Sequence, residues 1–171
     1  ERPRDRAHPP AYARAELVAP LPPELAFLAA EGFSPEALLN ALSAAPRGVR
    51  PVDWLLNEGK LTDETYYRSL ATHLGCQYYC GALPLASAFD AVKGLRCGVA
   101  PLEPRNAGPR FVVAPRAEFV PKLIEATLSG AIRSGSFALT SPQRFASLVR
   151  ARRGEELLNV ALGRLPASLA A

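Results

Sequence analysis

The stretch from Arg50 to Cys80, RPVDWLLNEGKLTDETYYRSLATHLGCQYYC, constrains the fold more than any other part of the chain. Each of its boundaries carries a signal. Pro51 suits the first turn of a helix, where its missing N–H is not needed. Val52, Leu55 and Leu56 follow at helical spacing, and Gly59 offers the left-handed conformation that ends a helix. Leu61 anchors the turn. Thr62 stands where an N-cap is wanted, with Asp63 and Glu64 in a first turn that favours negative charge. Tyr66, Leu70 and Leu74 recur every four residues, the stripe of an amphipathic helix. Gly75 closes that helix, and Gln77-Tyr78-Tyr79 opens a strand. No catalytic group is needed to explain this pattern, which directs attention to what packs on the helices.

These residues resemble the N-terminal domain of type II secretion and type IV pilus ATPases, a domain also found ahead of some membrane-bound family 2 glycosyltransferases. The family pattern reads Arg-Leu-Gly, two residues, two aliphatics, two residues, Gly and two aliphatics, then Leu, Leu and Gln on the next helix. Arg50, the pair Leu55-Leu56, Gly59, Leu61 and Leu70 match it. Pro51 and Val52 replace the Leu-Gly, Lys60 the first aliphatic after the Gly, Tyr66 the first Leu and His73 the Gln. A weaker copy lies upstream through Leu28, Gly32, Leu38 and Leu42, with one residue deleted after Phe33. There Pro23 stands in place of the Arg, Leu25 of the Gly and Ala45 of the Gln. Downstream, Ala100-Pro101-Leu102, Phe111 to Ala114 and Ser136 to Thr140 fall where the family's second half has strands, so the resemblance covers residues 24 to 150.

In some members, two tandem copies with a short spacer, here Pro46 to Val49, form a cyclic di-GMP site. The resemblance therefore implies cyclic di-GMP as ligand and Arg50, Leu55, Leu56, Gly59, Leu61, Leu70 and His73 as the residues around it. A guanidinium stacks on guanine and pairs with phosphate. Helix starts near Pro51 and Thr62 present N–H groups to phosphate oxygens. Close approach of a backbone to a ligand calls for glycine, yet Val52 and Leu25 occupy the family's glycine positions, and Pro23 brings no charge. The expectation is a helical scaffold that kept the fold and lost the site, with no other cofactor.

The chain of 171 residues is 49% apolar and 21% charged, as suits a globular domain or two small subdomains. No run approaches the roughly 18 consecutive apolar residues of a membrane span. The absence of Met, with Glu1 first, reads as a piece of a longer protein. Residues 1–23 hold six prolines among several arginines and read as a flexible arm. Residues 24–75 read as a helical subdomain with the two degenerate motifs, and a second helix begins at Ser34-Pro35-Glu36. Residues 76–153 read as a small α/β subdomain. In it, a short helix from Leu85 to Lys93 is closed by Gly94, and strands run at Cys97 to Leu102, Arg110 to Ala114 and Ser136 to Thr140. Helices run from Glu118 to Leu128 and from a cap at Thr140 or Ser141. Residues 154–171 read as a closing helix, with Leu157, Leu158, Ala161, Leu162 and Leu165 as its stripe, leading to a next domain. The fold class expected is α+β, a helical bundle joined to a small α/β sandwich.

Other chemistries leave fainter traces. His73, Cys76, Cys80 and Cys97 come near the ligand spacing of tetrahedral zinc, but no CxxC pair is present, so no metal site is expected. Three cysteines do not make a disulfide framework. His8 and His73 have no nucleophile partner, and there is no phosphate-binding glycine loop, so this piece is not expected to be an enzyme. Arg144, Arg150, Arg152 and Arg153 have no interleaved aromatics; nucleic acid is not expected. The net charge is only +4. The resulting expectation is a cytoplasmic regulatory or docking domain of a larger bacterial protein. The favoured host is a family 2 glycosyltransferase at the inner membrane, with a secretion or pilus ATPase docking on a membrane platform as the rival, and a cyclic di-GMP sensor as a third reading.

Overall fold

The computed structural model describes residues 21–104 and 108–162. Most of the arm, and the last part of the closing helix with Leu165, lie outside them.

Four helices come first: α1 (Pro23–Ala30), α2 (Pro35–Ala44), α3 (Pro51–Asn57) and α4 (Asp63–Leu74). Proline opens three of them, where an N–H would have no partner within the helix. Side chains cap two. Ser34 Oγ accepts from the Ala37 N–H at 3.3 Å, and Thr62 Oγ1 from the Thr65 N–H at 3.1 Å. Gly59 ends the α3 turn at φ +66°, and Gly75 ends α4 at φ +64°. Leu21 is already buried, so the fold reaches back into the segment read as an arm.

The second half holds the sheet. Strands β1 (Gln77–Tyr78), β2 (Val99–Pro101), β3 (Phe111–Val113) and β4 (Phe137–Leu139) lie in the order β1-β4-β3-β2. β4 is parallel to both β1 and β3, and β2 is antiparallel to β3. The period of two divides the side chains between two cores. Val113, Phe137 and Leu139 face the first core, while Val112 and Ala114 face the second. Helix α4 lies against β1 and β4, and α6 (Val120–Leu128) packs on α1 and α4. The helical bundle and one face of the sheet therefore share a single core, centred on Leu25, Leu28, Tyr66, Leu70 and Leu139. The other face is covered by α5 (Ala91–Cys97) and α7 (Pro142–Leu162), through Ala91, Phe145 and Val149. The fold is α+β, a helical bundle joined to a small sheet layered with helices.

Two buried hydroxyls tie the layers together. Tyr66 donates to the Glu24 carbonyl at 3.2 Å, and Tyr67 to the Pro115 carbonyl at 2.7 Å. Burial, and then neighbouring acidic groups, push both phenols well above their ordinary range.

One segment differs from expectation. The helix read at Leu85 to Lys93 and closed by Gly94 is instead α5, Ala91–Cys97. Leu85 is extended and bridges Leu102. Asp90 sets the start, its Oδ1 accepting from the Lys93 N–H at 2.8 Å. Gly94 lies inside the helix, where a Cβ would sit 3.3 Å from both the Phe89 ring and the Val99 carbonyl oxygen. Gly98 closes it, so Cys97 is helical rather than the start of a strand. The sequence sets the closing helix apart from the one before it, and a non-helical kink at Arg153 (φ −130°, ψ 29°) does divide α7 into two helical pieces there. Its N-terminus is capped by Ser141, whose Oγ accepts from the Arg144 N–H at 3.2 Å. Thr140 donates instead to the Tyr79 carbonyl.

Candidate functional site

Arg50 stands at the N-cap position of α3, beside an open hollow of about 790 Å³. Its Nε and Nη2 each lie 3.0 Å from Asp53 Oδ2, and Nη2 lies 3.5 Å from Glu118 Oε2. Its Nη1 is buried and makes no hydrogen bond to the described residues. Gly48, Val49, Leu56, Asn57 and Asp63 complete the lining. Partial burial raises the Asp63 carboxyl above its ordinary value. The hollow thus sets one guanidinium among three carboxyl groups. A phosphate entering it meets repulsion at short range and competes with two carboxylates for Arg50.

The residues that the resemblance assigns to a nucleotide fall in five places. Arg50 and Leu56 meet at the hollow. Leu55 and Leu61 are buried and face a different cavity, described below. Leu70 is fully buried in the first core, and Gly59 forms the turn after α3. His73 is exposed on the last turn of α4 and stacks on Phe27, with ring centres 5.6 Å apart.

The second cavity is an apolar groove of about 380 Å³ between α2 and α3. Phe33, Leu38, Ala41 and Ala44 form one wall, and Trp54, Leu55 and Leu61 the other. Asn40 and Lys60 are the polar residues of the lining. Lys60 Nζ lies 4.2 Å from the centre of the Trp54 ring, a cation–π contact that keeps the ammonium at the rim. Volume and lining fall in the range of sites that accept apolar groups. Sequence reasoning missed Trp54. It lies off the Val52–Leu55 stripe of α3, and that was the available signal: the one Trp of the chain packs against the first core yet stays partly exposed along the groove.

Among the described residues, no three His, Cys, Asp or Glu side chains gather as metal ligands. Cys80 and Cys97 are exposed and Cys76 is half-buried. Burial pushes the Cys76 thiol up to about 11, partly offset by a backbone hydrogen bond. The folded chain therefore holds a proton that the unfolded chain releases at lower pH. The stability this contributes is complete below pH 9 and is lost as pH rises through 11. At pH 8, Cys80 and Cys97 are expected to alkylate first and Cys76 more than about tenfold more slowly. Mass spectrometry of a quenched iodoacetamide time course reads this, and equal rates at all three thiols would contradict it.

The arginines of α7 hold the protein to itself. Arg144 donates to the Cys80 carbonyl. Arg153 donates to the Ser87 and Phe89 carbonyls at 3.0 and 3.3 Å and lies over the Phe89 ring. Arg152 pairs with Glu103 at 3.7 Å. Arg144 and Arg153 clamp the loop between β1 and α5 to α7, while Arg152 ties α7 to the segment after β2.

No protein-family model matches the chain, and no curated protein matches it either. No described helix is long and apolar enough to cross a membrane.

Proposed function

We propose that this chain is a non-catalytic docking or regulatory domain of a larger bacterial protein. The observation that carries the reading is the open groove between α2 and α3, with Trp54 and Phe33 half-exposed along it. Partly exposed aromatics set in an apolar recess are a common basis of protein recognition. Trp54 is the only Trp, so its emission reports the groove directly. Titration with ANS, an aromatic dye carrying one sulfonate, is expected to quench Trp54, and Ala44→Glu, a change at an exposed groove position, to abolish the quenching. A Trp54 signal indifferent to the dye would overturn the reading.

The host we favour is a membrane-bound family 2 glycosyltransferase, with this domain on the cytoplasmic face of the inner membrane. The resemblance of the Arg50 to Leu70 stretch supports it. A secretion or pilus ATPase is the rival host. The gene beyond Ala171 distinguishes them, through apolar spans of about 20 residues or a phosphate-binding glycine loop.

A cyclic di-GMP sensor is a second reading, favoured by the Arg50 Nη1 that makes no hydrogen bond to the described residues beside an open hollow. The surrounding carboxylates weigh against it. Calorimetry with cyclic di-GMP is expected to give no heat up to ligand concentrations near millimolar. Micromolar binding lost in Arg50→Ala would make the chain a sensor instead.

A further inference from the structure

The chain itself carries a segment that fits the groove. Beyond the bend at Arg153, α7 continues from Gly154 to Leu162. Leu157 packs against the second core, but Leu158 is 58% exposed. Glu155, Leu158 and Ala161 are all exposed and follow one another at a spacing of three, so they share one helix face. That face begins with an acid and continues apolar. The groove is complementary: its walls are apolar, and Lys60 is the one charged residue in its lining among the described residues. An amphipathic helix held by anchors three or four residues apart is a recurring occupant of such grooves. Helix α2 has ten residues, about 15 Å of wall, enough for two to three turns of a docked helix.

We infer that the groove takes the end of α7 from a second copy of this chain, with Leu158 in the groove and Glu155 beside Lys60. The inference rests on the groove being a docking site. Within one copy, the end of α7 is held by Leu157 at the second core, across the sheet from α2 and α3. The two surfaces differ, so the contact is head to tail. Each copy offers its groove to one neighbour and its helix to another, which builds rings or open chains.

Sedimentation velocity of the whole chain over a concentration series tests this, with Trp54 emission read in parallel. The sedimentation coefficient is expected to rise with concentration past that of a dimer, as Trp54 emission moves to shorter wavelength. Leu158→Glu and Ala44→Glu change exposed positions, and each is expected to weaken association by about tenfold or more. Mixed together, these two variants are expected to form pairs that grow no further, because each keeps one intact half. Lys60→Glu is expected to weaken association, and adding Glu155→Lys to restore it. Association that survives both single variants overturns the inference, and so does a chain that stays monomeric throughout. In the monomeric case the dye separates the two readings. Quenching of Trp54 that Ala44→Glu removes leaves the docking site standing and rejects only this occupant; no quenching rejects both.

Discussion

Gly98→Ala is expected to destabilise the fold by about 3 to 4 kcal/mol, a large fraction of what a domain of this size has. Two effects add. Gly98 ends α5 at φ +67°, ψ 28°, the left-handed region, where a Cβ costs about 1 kcal/mol. The larger effect is contact: a Cβ there would lie 2.5 Å from the carbonyl oxygen of Ala114. Neither partner has room to give. The Ala114 N–H donates to the Gly98 carbonyl at 2.7 Å, and Val99 pairs with Val113 in the next register position. Relief requires β2 to move off β3, which exposes Ala100 and Val112 of the second core. Gly75→Ala is the control. Its φ is +64°, but the nearest neighbour to a Cβ is the Ser134 hydroxyl at 4.0 Å. It is expected to cost about 1 kcal/mol, the conformational part alone. Urea midpoints of the two variants, at unchanged slope, give the comparison. Equal losses would mean that the close approach of β2 to β3 has no energetic weight.

The same glycine shows where sequence reading stops. Gly59 and Gly75 were legible because all that places them is local, a stripe before and a cap after. Gly94 and Gly98 are four residues apart, and both look like helix ends. What assigns them is distant: Phe89 and Val99 crowd Gly94, and Ala114 crowds Gly98. The four strands were legible as short apolar runs between turn residues, but their order β1-β4-β3-β2 was not. The break in α7 was legible as a division between two helices, but what braces it is tertiary, since Arg153 reaches back to Ser87 and Phe89. At the candidate site, the sequence marked Arg50 as a free cation. It could not foresee that Glu118, from the turn before α6, would join Asp53 in pairing with it. Trp54 escaped for a different reason. A stripe counts the residues that agree with it, and the groove is made by one that does not.

Leu70→Ala is expected to cost about 3 kcal/mol of stability, and its outcome bears on how the motif itself is understood. Two signals disagreed at this residue. The motif places Leu70 beside a ligand, while the spacing Tyr66, Leu70, Leu74 places it on a core stripe. It has no exposed surface, and it lies in the core that α4 shares with α1 and β4. A cavity left there cannot be filled by movement of one layer, because Tyr66 and Tyr67 fix α4 to Glu24 and Pro115. Leu56, the aliphatic of the motif that lines the hollow beside Arg50, packs against the same core but is only partly buried. Leu56→Ala is expected to cost less, about 1 to 2 kcal/mol, since part of its surface stays in water in the folded chain. Denaturation of both variants measures the difference. A loss at Leu70 within about 0.5 kcal/mol of that at Leu56 would show that the core is looser around α4 than its burial implies. A large gap would mean that the aliphatic positions of the motif divide between holding the fold and lining its surface, so that the fold can persist in a chain whose Arg50 is already occupied by its own carboxylates.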